Sequence, residues 1–368
     1  MSSTHRRTVS TRSKVIGGLV AASLVGGGAF LFSGTALATK SPAKKPTEAA
    51  GSTEAPAPAT FAPFVDTSLA PAYDLLGTAQ KTGVKEFNLA FVTSGGGCEP
   101  LWGGATGLGD DKVAAQIDGL RAEGGDVRVS FGGAAGSELG LKCDSADALA
   151  KAYGKVVDAY ELTKVDFDIE GAALPDTAAN TRRAQAIARL QKEHPGLNVS
   201  FTLPVMPEGL TRPGVDLLAD AKKNGVRVDA VNIMAMDYGP SYSGDMGAYA
   251  VQAATATQKQ VKTALGLSDK AAWQAVAVTP MIGVNDVATE VFTTDDAAEL
   301  VQFAQEKDLA WLSMWSSTRD KACEGGASGS AQPTCSSVEQ QPLEFTKAFA
   351  AYKSRTTPST PPTPTRSR

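Results

Sequence analysis

Between positions 61 and 352 the chain alternates between two hydrophobic rhythms. A short apolar run, a turn, and a segment with apolar residues three or four apart recur eight times. The short runs predict strands and the longer segments helices. The strands fall at Phe61–Val65, Lys85–Val92, Val127–Phe131, Val165–Glu170, Asn198–Leu203, Ala230–Met236, Ala275–Thr279 and Ala310–Trp315. The helices fall at Leu69–Lys81, Asp110–Glu123, Ser145–Tyr160, Thr177–Glu193, Val215–Asn224, Ala248–Leu265, Asp295–Glu306 and Val338–Tyr352. Asp144-Ser145 and Thr294-Asp295-Asp296 supply caps at two helix starts. Strands that alternate with helices demand a parallel sheet. Eight units in about 290 residues predict an α/β fold, a closed (β/α)8 TIM barrel. The alternative, an open doubly wound sheet, wants a Gly-rich turn after its first strand, and Phe61–Asp66 is followed by none.

The fourth strand breaks the pattern of apolar barrel strands. In Val165-Asp166-Phe167-Asp168-Ile169-Glu170-Gly171 three carboxylates alternate with three large apolar residues. Side chains alternate across a strand, so Asp166, Asp168 and Glu170 share one face. Like charges about 7 Å apart repel, and a merely solvated strand gains nothing from them. Such stacks share protons, bind a metal, or await a cationic transition state. Barrel active sites lie at the C-terminal strand ends, which places Glu170 at the mouth and Asp166 deepest.

Composition removes most other chemistry. The formal charge is −4, with no basic block in the folded region, so nucleic acid is excluded as a partner. The two histidines, His5 and His194, cannot build a Ser-His-Asp triad, a Cys-His pair or an HExxH zinc site. No cofactor and no metal site is expected. The four cysteines lack CxxC spacing, and two disulfides are expected, Cys98 with Cys143 and Cys323 with Cys335. The second closes a Gly/Ser-rich loop and should add about 3 kcal/mol.

The fourth strand resembles the signature DGxDxDxE of glycoside hydrolase family 18, the chitinases and endo-β-N-acetylglucosaminidases. Its last three acidic positions match Asp166, Asp168 and Glu170, whereas Thr163 and Lys164 replace the first Asp and the Gly at the strand entrance. The family's SxGG on the third strand is matched by Ser130-Phe131-Gly132-Gly133. Its M-x-Y-D on the sixth is approached by Met234-Ala235-Met236-Asp237-Tyr238. There Met236 takes the tyrosine position, Asp237 matches, and Tyr238 is the candidate replacement, one residue out of step and so turned to the other face. Trp315 matches the tryptophan that floors the sugar subsite, and Trp311 shares its face by parity. Trp102 and Tyr242 are weaker candidates for outer subsites.

The resemblance implies catalysis by Glu170, Asp168 and Asp166, and substrate binding by Ser130, Met236, Asp237, Tyr238 and Trp315. It implies a retaining mechanism in which the substrate's own acetamido oxygen is the nucleophile. The expected function is hydrolysis of β-1,4-linked N-acetylglucosamine polymers. Two alternatives are an endo-β-N-acetylglucosaminidase acting on N-glycans and a chitin-binding lectin on an inactive barrel. Family lectins typically lose the terminal Glu, which is retained here as Glu170. The expected partner is a carbohydrate, bound by a monomer with no obligatory protein partner. No separate chitin-binding module is recognisable, which predicts a preference for soluble chains over crystalline chitin.

Residues 1–38 carry Arg6, Arg7, Arg12 and Lys14, an apolar run from Val15, and Ala36-Leu37-Ala38. This predicts a signal peptide cut after Ala38, hence secretion, with a membrane anchor as the alternative. Residues 39–60 and 354–368 are rich in Pro with Ala or Thr and predict disordered segments flanking a barrel at 61–353.

Overall fold

The computed structural model describes residues 61–352. The expected leader at 1–38, linker at 39–60 and tail at 354–368 lie outside the described residues.

Eight parallel strands form the barrel: β1 (Phe64–Asp66), β2 (Glu86–Ser94), β3 (Asp126–Gly132), β4 (Lys164–Asp168), β5 (Asn198–Met206), β6 (Ala230–Ala235), β7 (Val276–Pro280) and β8 (Trp311–Leu312). Each pairs with the next in sequence. Closure comes from Phe61 bridging Leu312, with Ala62 N donating to Leu312 O at 2.8 Å and Phe64 N to Met314 O at 3.1 Å.

The helices that follow the strands are α1 (Leu75–Thr82), α2 (Ile117–Ala122), α3 (Ala146–Ala159), α4 (Thr177–Glu193), α5 (Arg212–Lys223), α6 (Met246–Leu265), α7 (Thr294–Lys307) and α8 (Glu344–Phe349), with short extra helices at Leu139–Lys142 and Asp269–Trp273. Caps set where they start. Ser145 accepts from Ala148 N at the head of α3, and Thr293 forms a capping box with Asp296 at the head of α7. The helix expected from Leu69 begins only at Leu75, because Asp74 is the cap that accepts from Gly77 N. The last helix is far shorter than expected. Asp320 fixes its start from across the loop, accepting from Phe345 N at 3.2 Å and Thr346 N at 2.7 Å.

The principal core lies between barrel and helices. Val165, Phe167 and Ile169 are fully buried there, and Phe167 stacks on Phe131 with ring centroids 5.3 Å apart. Sequence periodicity missed three small additions at the C-terminal side. Pro100–Trp102 pairs antiparallel with β2, Gly209–Leu210 with β5, and Gly283–Val284 with Val291–Phe292. Both expected disulfides are formed, Cys98–Cys143 and Cys323–Cys335.

Candidate active site

The barrel interior along β4 is polar. Asp166 is wholly buried and accepts three hydroxyl hydrogen bonds, from Ser130 at 2.7 Å, Ser200 at 2.6 Å and Thr202 at 2.8 Å. Asn232 Nδ2 donates to Thr202 Oγ1 at 3.0 Å, and Thr279 Oγ1 donates to Asn232 Oδ1 at 2.8 Å. A chain of side-chain hydrogen bonds thus runs across β3, β4, β5, β6 and β7. Burial pushes the Asp166 carboxyl up, while the three hydroxyls and the Arg128 guanidinium pull the other way.

Arg128 lies one layer deeper on β3. It bonds Asn88 Oδ1 at 3.2 Å and Asn198 Oδ1 at 3.3 Å, and sits 4.8 Å from the centre of the Trp311 ring. Trp311 is therefore a floor for a buried cation at the barrel base. Lys164, where the family has glycine, pairs at that end with Glu86 and Asp126.

Asp168 is 4% exposed, and its Oδ1 has no hydrogen-bond partner among the described residues. Burial, then the neighbouring Glu170 and Asp166, hold its carboxyl well above the ordinary carboxylate value. Glu170 lies just past the end of β4 in extended backbone. Its carboxyl is also raised, by burial first and then by Asp237. Two neighbouring carboxyls that each disfavour ionisation titrate as a unit and hold a proton to higher pH than either would alone.

These groups open into a cavity of about 370 Å³ lined by Asp168, Glu170, Asp237, Asp286, Trp315, Met236 and further largely apolar side chains. Phe91 and Phe64 form one wall with Trp315, and Met206, Met234 and Met281 contribute others. Phe91 reaches the cavity because the β2–β3 register slips between Ala90 and Val92. The two glycines of the SxGG match have a steric reason. At Gly132, with φ 106°, a Cβ would lie 2.0 Å from Asp168 O. At Gly133, with φ 85°, it would lie 2.6 Å from the Phe91 ring.

Of the residues singled out in the sequence, the cavity brings together Asp168, Glu170, Met236, Asp237 and Trp315. Ser130, Tyr238, Trp102 and Tyr242 stand elsewhere. Ser130 is fully buried and spends its hydroxyl on Asp166, so it supports the carboxylates instead of facing the cavity. Tyr238 points away, as the one-residue offset dictates. It packs against Tyr242 and Tyr249, with its hydroxyl buried and unbonded among the described residues. Trp102 is buried, donating Nε1 to Tyr160 Oη at 2.6 Å, and offers no outer subsite. Tyr242 stays near the surface, where its hydroxyl meets Glu208 at 3.1 Å. Phe91, Met281 and Asp286 were missed because no motif or parity argument marks bulge and loop residues, and Thr202, inside β5, because no motif marks that strand.

No family model matches the chain. The chain is 36% identical over 311 residues to a probable bifunctional chitinase/lysozyme of Escherichia coli, covering 79% of this chain and 34% of that protein. It is 36% identical over 276 residues to endochitinase 11 of Metarhizium anisopliae, covering 71% and 52%. It therefore spans about a third and about half of the length of these two curated relatives. Among solved structures, active domain 2 of a thermostable chitinase from Pyrococcus furiosus aligns with a TM-score of 0.72 at 34% identity, covering 80% of this chain and 96% of that one. The chain belongs to the chitinases of glycoside hydrolase family 18. In this family member, Asp166, Asp168 and Glu170 are the last three acidic positions of the fourth-strand signature. The Pyrococcus domain was solved as catalytic-site mutants complexed with chito-oligosaccharides. The TIM barrel and the assignment as a glycoside hydrolase rest on these relatives together with the closed eight-stranded sheet.

Proposed function

We propose that the protein hydrolyses β-1,4-linked N-acetylglucosamine polymers with retention of configuration, using the substrate's acetamido group as nucleophile. The observation that carries this reading is Asp168, buried beside Glu170 with one carboxylate oxygen unpartnered among the described residues, at the wall of a largely apolar cavity.

Glu170, whose carboxyl burial and Asp237 raise, gives its proton to the glycosidic oxygen as the bond to the leaving sugar breaks. The acetamido oxygen attacks the anomeric carbon, and an oxazolinium ion forms. Asp168 turns its unpartnered oxygen to the acetamido N–H and offsets the developing positive charge. Asp166, anchored by three hydroxyls, keeps a negative charge beneath it. Water then attacks the anomeric carbon, loses its proton to Glu170, and opens the oxazolinium ring. Asp237 orients the acetamido group, and the indole of Trp315 takes the apolar face of the pyranose.

Secretion belongs to the same proposal. It is supported by the Arg-containing, apolar leader pattern and by two disulfides, which persist in oxidising compartments.

The test compares parent and Glu170→Gln on chito-oligosaccharides, with the anomer of the first product followed by NMR. The parent should release the β-anomer first, and the variant should lose about 10³-fold in kcat while still binding substrate. Release of glycan from a high-mannose glycoprotein in preference to chito-oligosaccharide cleavage would favour the N-glycan reading. Binding without hydrolysis by the parent would favour the lectin.

A further inference from the structure

The loop after β6 and the hairpin after β7 hold each other through two carboxylates. Asp237, whose backbone is left-handed at φ 52°, accepts from Val287 N at 2.9 Å. In return Glu290 Oε1 accepts from Gly239 N at 2.8 Å. Its other carboxylate oxygen, Oε2, is buried with no hydrogen-bond partner among the described residues. Gly239, at φ 113°, takes the left-handed backbone that aims its N–H at this carboxylate.

Glu290 is fixed from its own side. Its N–H donates to Val287 O at 2.8 Å, its carbonyl accepts from Asn285 N at 3.0 Å, and Val284 pairs with Val291 next to it. Arg319 buttresses the same hairpin, donating to Ile282 O at 2.9 Å and Val284 O at 2.7 Å. Glu290 is fully buried and does not line the cavity. A buried carboxylate is costly where an apolar residue would pack, unless its acceptor is needed.

We propose that Glu290 is a positioning residue of the catalytic centre: it holds the Asp237–Gly239 turn so that Asp237 stays against Glu170. The word catalytic rests on the hydrolytic reading above. The clamp itself does not. The charged and titratable groups concerned are few. Asp237 is faced by Glu170, Asp286, Glu290 and Arg319, Glu290 by Asp237 and Tyr238, and Glu170 also by Asp168.

The test is a carbon-13 NMR titration of the Glu170 carboxyl in the full chain, run alongside kinetics on a chito-oligosaccharide. Asp237→Asn should lower the Glu170 midpoint by about one unit, since a like charge is removed. Glu290→Met fills the space without an acceptor, releases the turn, and should lower that midpoint by at least half as much with about a tenfold loss in kcat. Glu290→Gln keeps an acceptor for Gly239 N and should restore both. In the double variant Asp237→Asn/Glu290→Met the midpoint should fall no further than in Asp237→Asn alone. If Glu290→Met does not fold, Glu290→Asn, whose amide is one methylene too short to reach Gly239, is read in its place. A parental Glu170 midpoint in Glu290→Met, or a Glu290→Gln variant as impaired as Glu290→Met, overturns the assignment. A parent inert on every sugar would instead sink the hydrolase reading and leave the midpoint to decide the role of Glu290.

Discussion

The ring of Phe91 stacks on the indole of Trp315, with centroids 5.6 Å apart and planes 22° from parallel. Phe64 closes on the same indole at 6.1 Å. Two rings therefore set the angle that Trp315 presents to the cavity. An aromatic pair is worth about 1 kcal/mol beyond its buried area. Phe91→Ala should raise KM for a chito-oligosaccharide about three- to tenfold and lower kcat less than threefold. Initial-rate kinetics decide this, and a fall in kcat at constant KM would contradict a pure platform role.

Arg128 carries a pH prediction. It forms no ion pair within 4 Å among the described residues, and Asp166 is the foremost of the carboxylates that favour its charge. Removing the cation raises Asp166 further, so the trio retains its negative charge only at higher pH. The acidic limb of kcat/KM should move up by about one unit in Arg128→Met and stay in place in Arg128→Lys. An unmoved limb in Arg128→Met would show that the cation acts on packing alone.

Tyr238 and Asp237 are neighbours with opposite consequences. Tyr238→Phe removes a buried hydroxyl that has no partner among the described residues. Activity should stay within about twofold of the parent, and Tm should not fall. Asp237→Asn should reduce kcat/KM by about 10²-fold. A tenfold loss in Tyr238→Phe would return the phenol to the site.

Stability should depend on pH with opposite signs at two buried acids. Asp168 is raised in the folded state, so its favourable contribution is complete below its ordinary value near 3.8 and is lost as pH rises through the folded value. At pH 7 the parent bears that cost. Asp168→Asn should therefore raise Tm by about 2 °C at pH 7, with the gain vanishing in acid, while abolishing most hydrolysis.

Glu138 is the reverse case. Burial pushes it up, but Arg183 outweighs burial and leaves its carboxyl below the ordinary value near 4.5. Its contribution is present above that value and lost as pH falls through the folded one. Glu138→Gln leaves Arg183 buried and unpaired, and should cost about 3–5 kcal/mol at pH 7, with a smaller deficit in acid. Thermal melts of the three proteins across pH 3–8 test both signs.

Strand alternation made the barrel and the depth order of Asp166, Asp168 and Glu170 legible, because parity and the C-terminal-end rule depend only on spacing. The same parity argument left Tyr238 suspect, and its ring does lie behind the cavity. Three kinds of feature escaped. Ser130 looked like a substrate contact because a one-dimensional pattern cannot say that a hydroxyl is already taken by Asp166. Trp102 looked like a rim platform because the pairing of Pro100–Trp102 with β2, which carries it inward, leaves no periodic trace in three residues. Glu290 and Asp286 sit in a hairpin loop whose docking is tertiary, so nothing in their sequence neighbourhood marks them.

The hydrogen-bond chain from Ser130 through Asp166, Thr202 and Asn232 to Thr279 also bears on how the sheet is assembled. Each link joins side chains on different strands, so sliding any one strand by a residue would turn its polar group outward and strand its partner in the barrel interior. Apolar interiors tolerate such slips by repacking, whereas directional bonds do not. The layer that holds the charge of the β4 carboxylates is therefore also a register code, penalising misaligned barrels before any substrate is met.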